Sequence, residues 1–345
     1  MATSPQGIAF LFPGQGSQTV GMGADVYEQS PAARQVFERA DQALGMALST
    51  LCFQGPEEQL RETINAQPAI VTVSLALLAA LQERLAPRSS WSSPLTPTFT
   101  AGHSVGEYAA LVASGALDLE DAVRLVRERG RLMHQEGRAC PGGMAAIIGL
   151  DEATLQEICQ QASQEAQQEE GQAENRHPGW GKVSVANLNA PGQIVISGEQ
   201  RALALAMERA KARGAKRVIP LAVSGAFHSP VMEPAAAGLA EALATTPLRD
   251  ATIPIISNIE ARPLSEAQAL RQELAQQIVA PVQWIRSVEY LAAAGITVYL
   301  EIGPGAVLTG LVKRIVRQAT TLTVSNAQEL DKAVTTLREQ GLLQL

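Results

Sequence analysis

The sequence predicts an α/β fold in which a small ferredoxin-like unit interrupts a larger one, and three observations carry that expectation. Strand-like and helix-like patterns alternate from the start, the middle of the chain follows the order β-α-β-β-α-β, and strands and helices resume after it. A length of 345 residues fits two structural units at about 150 residues each.

Residues 7–12 read as a short apolar strand that ends in the glycine-rich turn Pro13-Gly14-Gln15-Gly16-Ser17-Gln18. Pro68 is expected to open a helix running to about residue 85, because proline suits a first helical turn. The Ser- and Pro-rich stretch 87–97 reads as an exposed connection before a β-prone run at 96–101. A helix follows over 105–114. Another begins near Leu119, where Asp118, Glu120 and Asp121 suit a helix N-terminus, and continues towards Gln135.

From Cys140 the texture changes. A strand leads to Ile148, a helix starts near Asp151, and 183–186 and 193–197 read as strands; a helix over 202–213 and a strand over 217–222 complete the unit. The larger unit returns with strands near 253–257 and 297–302, a helix around 284–294 and another after Gly305. Segment 156–174 is dominated by Gln and Glu, which favours a solvated helix extension or a mobile loop. With no packed face expected, 160–174 should be dispensable for chemistry.

Composition narrows the function. With 27 basic against 34 acidic side chains and a net charge of -7, no broad basic surface is available to neutralise phosphates, so nucleic acid is excluded as an expected partner. Residues 1–6 lack the basic and apolar regions of a signal peptide. The longest apolar stretch, 69–81, falls short of the roughly 18 residues a membrane span needs and reads as a buried helix. Cys52, Cys140 and Cys159 are widely spaced with no CxxC, which argues against disulfides and structural zinc and points to a reducing cytoplasm.

Gly102-His103-Ser104-Val105-Gly106 matches G-x-S-x-G between an expected strand and an expected helix. That is the setting of a nucleophile elbow, where a tight turn exposes the serine and flanking glycines allow close backbone approach; a simple turn serine is the alternative. Ser104 needs a base, because a hydroxyl is a poor nucleophile until its proton is accepted. Of four histidines, His103 adjoins the serine and should point elsewhere, His134 sits in a helix, and His177 lies beside the polar segment. His228 remains, in a loop just after a strand, with a surface or capping role as its alternative. No acid is clearly placed to orient its imidazole, so a backbone or amide carbonyl is the candidate. About a third of the chain follows His228, an unusual order for a common esterase.

Five blocks in order, Phe12-Pro13-Gly14-Gln15-Gly16-Ser17-Gln18, Gly102-His103-Ser104-Val105-Gly106-Glu107-Tyr108, Gly225-Ala226-Phe227-His228-Ser229, Ala280-Pro281-Val282-Gln283-Trp284 and Glu301-Ile302-Gly303-Pro304-Gly305, resemble the malonyl-CoA:acyl carrier protein transacylases and the acyltransferase domains of polyketide synthases. The resemblance spans nearly the whole chain. It implies an α/β-hydrolase-like large domain over 1–138 and 224–345, with a ferredoxin-like subdomain over 139–223. It makes Ser104 the acylated nucleophile, His228 its base, and the backbone N–H groups of Gln15 and Val105 the oxyanion hole. Gln277 matches the glutamine whose main-chain carbonyl orients the histidine. The loop Gly14-Gln15-Gly16 lacks the third glycine and the acidic residue of a dinucleotide site.

The resemblance also makes Arg129 the residue that holds the malonyl carboxylate, as a guanidinium fork does through two parallel hydrogen bonds. Spacing alone does not choose it over Arg124, Arg127 or Arg131. Phe227 agrees with the malonyl-type signature, although a core role fits it equally, and Asn187 and Asn189 fit residues along the pantetheine groove. The implied partners are malonyl-CoA and a phosphopantetheinylated acyl carrier protein, acting on a monomer with no metal, bound cofactor, membrane or nucleic acid. Alternatives are a trans-acting polyketide synthase acyltransferase, an acyl hydrolase of the same family, and a non-catalytic carrier-protein binding module.

Overall fold

Ten strands form two separate sheets in the computed structural model, which describes residues 7–86, 95–169 and 177–343. The first sheet contains β1 (Gly7–Phe12), β2 (Phe99–Gly102), β7 (Ile255–Ile256), β8 (Pro263–Leu264), β9 (Ile296–Ile302) and β10 (Thr320–Val324), in the order β10-β9-β1-β2-β7-β8. The second contains β3 (Gly142–Ile148), β4 (Val183–Ala190), β5 (Gln193–Glu199) and β6 (Arg217–Pro220), in the order β4-β5-β3-β6. The α/β expectation is met in both parts.

The first sheet is parallel except for β8. β1 is buried from Ile8 to Phe12, as a central strand covered on both faces must be, which explains its unbroken apolar sequence. In-register pairing sets Phe12 opposite Gly102, so β1 and β2 end side by side and their following turns emerge at one edge. Ligands of open α/β sheets bind at that edge.

The second sheet is antiparallel throughout, with the strand order of a ferredoxin-like unit. Its fourth-strand expectation over 217–222 shortens to Arg217–Pro220, and the strand near 253–257 shortens to Ile255–Ile256. β4 also reaches the larger unit: Leu188 N–H donates to the Val282 carbonyl at 2.9 Å, and Val282 N–H donates to that of Ala186 at 2.8 Å.

Pro68 does not open its helix. The helix spans Thr63–Leu85 with Pro68 inside it, and the extra turn carries Gln67 into the interior. Proline is tolerated there because it forfeits one hydrogen bond near the helix start, to the Ile64 carbonyl. At 23 residues this helix is long and apolar enough to cross a membrane, contrary to the shorter stretch read from sequence, but 89% of its most apolar window is buried inside the protein. Small residues let neighbouring elements pack around it on every side.

The Gln/Glu-rich segment also departs from expectation. Helix Glu152–Glu169 covers most of it, and Leu155, Ile158, Cys159, Ala162 and Ala166 are buried against Ile147, Val185, Ile196 and Ala206. Their spacing of three and four residues makes a continuous stripe. Composition hid it because alanine and cysteine supply much of the packed face. The end of this segment at 170–174, the connection at 87–94 and residues 1–6 lie outside the described residues.

Removing 160–174 should therefore disrupt the smaller core. Ile158→Ala should lower unfolding free energy by about 2–5 kcal/mol, read from urea denaturation followed by circular dichroism. A change within error of zero would contradict the packed stripe.

Candidate active site

The elbow between β2 and helix Gly106–Ala113 is held by sterics. A Cβ at Gly102 would sit 2.0 Å from the Gly106 carbonyl carbon, and one at Gly106 would sit 2.2 Å from the Phe12 carbonyl oxygen. The glycines two before and two after Ser104 thus let the turn close on itself and on β1. Ser104 itself has φ 54°, the left-handed conformation that turns its side chain out of the strand.

His228 meets it from the loop after β6. Its Nε2 lies 2.7 Å from Ser104 Oγ, and its Nδ1 lies 2.9 Å from the Gln277 carbonyl and 3.2 Å from that of Ala280. Both Nδ1 neighbours are acceptors, so Nδ1 carries the proton and Nε2 offers a lone pair to the hydroxyl. Burial, with the Arg129 charge adding to it, pushes the imidazole pKa down to about 3, keeping it neutral.

Arg129 comes from helix Leu119–Ala139 and is 1% exposed. One Nη donates to Gln67 Oε1 at 2.7 Å; the other donates to Gln277 Oε1 at 3.0 Å and to Ser104 Oγ at 3.1 Å. Its Nε has no hydrogen-bond partner. Burial lowers its proton affinity, while Tyr108 and Glu107 act in the opposite direction. Arg124 and Arg131 are instead engaged at the surface with Asp121 and Glu128, and Arg127 donates to Asn65.

Ser104, His228 and Arg129 line one cavity of about 250 Å³ between the two sheets. Gln15, Phe227, Asn187 and Asn189 line it too, so the structure brings these expected site residues together. Val105 caps the helix that follows the elbow, and the Gln277 carbonyl backs the imidazole. Much of the remaining wall is apolar, with Met133, Met144, Val195 and Leu221 among its residues. His103 faces this cavity rather than turning away from it: its ring nitrogen lies 2.8 Å from Asn189 Oδ1, and its ring packs on Trp284. Burial keeps it neutral as well.

Two residues were missed. Asn258, just after β7, accepts from Ser104 N–H at 2.8 Å, and the buried Glu107 accepts from both Asn258 and Gln277. Glu107 stood inside the G-H-S-V-G-E block, so a buried acid one turn beyond the serine was the available signal; Asn258 had none nearby.

The three cysteines are no rival nucleophiles. All are unpaired and buried, and burial pushes the thiols of Cys52 and Cys159 up to about 12 and that of Cys140 to about 11. Among the described residues, no cluster of His, Cys, Asp and Glu is arranged to hold a metal ion. The arrangement therefore suits attack by an activated serine on a carbonyl compound that carries an anionic group.

The acyl transferase domain family matches residues 9–341. The malonyl CoA-acyl carrier protein transacylase of Bacillus subtilis is 46% identical over 334 residues, covering 97% of this chain and 98% of that protein. An acyl-carrier-protein-S-malonyltransferase from Bartonella henselae has a structure with TM-score 0.87 at 41% identity, covering 96% of this chain and all of that one. A malonyl-transacylase solved with a type II PKS acyl-carrier protein gives TM-score 0.86 at 39% identity, over 96% and 100% of the two chains.

The lowered His228 pKa sets a pH dependence. The folded imidazole stays unprotonated as pH falls through 6.5 and takes a proton only near 3, whereas the unfolded chain protonates near 6.5. Stability contributed by this group is thus lost progressively below 6.5, but the hydroxyl keeps its acceptor. Labelling of Ser104 by a fluorophosphonate should stay level from about pH 8 to about pH 5. A decline with its midpoint near 6.5 would contradict the buried neutral imidazole.

Proposed function

This chain belongs to the acyl transferase domain family, and we propose from that premise that it moves a malonyl group from malonyl-CoA to the phosphopantetheine thiol of an acyl carrier protein, in fatty acid or polyketide synthesis. The observation that carries the reading is Arg129, a buried guanidinium that reaches Ser104 Oγ, with amide oxygens as its other hydrogen-bond partners. A carboxylate on the acyl group completes that environment, whereas an acetyl group leaves it unmet.

In the first half-reaction, Ser104 Oγ attacks the malonyl thioester carbon while His228 Nε2 accepts the hydroxyl proton. The carbonyl oxygen becomes an oxyanion, met by the N–H groups of Gln15 and Val105. Side-by-side ends of β1 and β2 support that pairing of donors, and the helix beginning at Gly106 adds its positive end. Collapse breaks the carbon–sulfur bond, and CoA leaves as a thiol with the proton from His228. The second half-reaction runs in reverse order: the carrier thiol loses its proton to His228, attacks the serine ester, and releases Ser104 with its hydrogen restored.

Phe227, Asn187 and Asn189 are assigned to the acyl and pantetheine path, which their place along the cavity supports. The domain division is proposed as 1–138 with 224–345, and 139–223, supported by the two separate sheets and the cavity between them. A monomer is proposed, since the described residues of a single chain bring the serine, the imidazole and the guanidinium to one cavity. The unpaired cysteines support a cytoplasmic setting.

Malonyl-CoA alone should add one malonyl group to the protein, seen by intact-mass spectrometry, and none to Ser104→Ala. Supplying holo carrier protein should discharge the adduct onto it. Release of free malonate instead favours a hydrolase, and an unlabelled wild-type protein contradicts the serine assignment.

A further inference from the structure

A left-handed serine is a strained one. Such a conformation costs a non-glycine residue on the order of 1–3 kcal/mol and persists only where the surroundings over-determine it. At Ser104 the surroundings are two side-chain amides. Asn258 accepts the Ser104 N–H on Oδ1 at 2.8 Å and donates from Nδ2 to the Gly102 carbonyl at 2.7 Å. Gln277 donates from Nε2 to the Ser104 carbonyl at 3.1 Å. The peptide groups on both sides of the serine are therefore tied down from outside the elbow.

Both amides also donate to one atom, Glu107 Oε2, at 2.5 Å from Asn258 and 2.6 Å from Gln277. An amide has a donor end and an acceptor end, and only one orientation suits the serine. By taking an N–H from each, Glu107 turns the Asn258 oxygen towards the Ser104 N–H and the Gln277 oxygen towards Arg129. Its second oxygen, Oε1, has no hydrogen-bond partner, so its visible hydrogen bonds serve this orientation.

We propose that Asn258 is a positioning residue that holds Ser104 in its strained backbone through the serine N–H, with Glu107 setting the orientation of Asn258 and Gln277. This rests on the reading of Ser104 as the nucleophile. The Oγ to Nε2 distance of 2.7 Å depends on that backbone, and misplacement by about 1 Å costs on the order of 100-fold in rate.

The test compares wild type, Asn258→Ala, Asn258→Asp and Glu107→Leu in three assays: the rate of fluorophosphonate labelling, the single-turnover rate of malonylation, and KM for malonyl-CoA. Thermal melts show which variants fold. Asn258→Asp keeps the Oδ1 acceptor but sets an oxygen against the Gly102 carbonyl and Glu107. In each folded Asn258 variant both rates should fall together by about 10–100-fold, with KM within about two-fold of wild type. A smaller parallel fall is expected for Glu107→Leu, which takes away the oxygen that both amides donate to. Wild-type rates in a folded Asn258 variant overturn the proposal, as does slower malonylation with unchanged fluorophosphonate labelling, which places Asn258 in substrate binding. Wild-type rates in Glu107→Leu, or its failure to fold, overturn the role of Glu107. Failure of both Asn258 variants to fold also counts against positioning, because it makes Asn258 a residue the fold itself requires. If wild-type Ser104 takes neither label, the serine assignment fails rather than this one.

Discussion

Removing a guanidinium from water costs several kcal/mol even after relaxation, and a carboxylate partner is the usual compensation. Arg129 has none within hydrogen-bond distance among the described residues. Its hydrogen bonds go to Gln67, Gln277 and Ser104, while Glu107, whose own carboxyl burial pushes well above the usual range, acts from further away. The rest of the site follows from accommodating that cation. Gln67 reaches it because the helix Thr63–Leu85 extends N-terminal to its proline, and Gln277 presents its amide oxygen to Arg129 and its main-chain carbonyl to His228. One glutamine thereby couples the cation to the imidazole. The Arg129 charge helps keep His228 neutral, so the group proposed to hold the acyl carboxylate also keeps the proton acceptor ready.

The five sequence blocks acquire physical reasons from this arrangement. Pro13 to Ser17 lie beside the elbow, where a Cβ at Gly14 would come within 2.5 Å of the His103 carbonyl oxygen. Ala280 contributes an oxygen near His228, Val282 bonds to β4, and Trp284 packs on His103. Glu301 is buried at the end of β9 and accepts from the Leu308 and Thr309 N–H groups, fixing the helix Val307–Ile315 whose first turns line the cavity. Its carboxyl pKa is raised by burial, with those N–H groups offsetting part of the shift. Each block therefore marks a junction between elements around one cavity.

Local features were legible in the sequence and distant ones were not. The elbow needs its glycines within a few residues of Ser104, and the alternation of strands and helices needs only the pattern of apolar residues. Gln277 acts on His228 through a main-chain carbonyl, which leaves no trace in residue type, so only family resemblance pointed to it. Asn258 lies 154 positions from Ser104, and nothing near either residue signals the contact. The stripe from Leu155 to Ala166 escaped because its surrounding glutamines and glutamates dominate the composition, while Pro68 misled because proline is commoner at the helix start than within it.

The central claim is that Arg129 selects the acyl group by its carboxylate and leaves the serine chemistry to Ser104 and His228. The direct measurement is a competition between malonyl-CoA and acetyl-CoA for acylation of wild type and Arg129→Ala. Loss of a charge-assisted hydrogen-bond pair worth about 1.5–3 kcal/mol predicts a shift towards acetyl of roughly 10–100-fold, with fluorophosphonate labelling of Ser104 retained. An unchanged malonyl preference in Arg129→Ala would contradict the account.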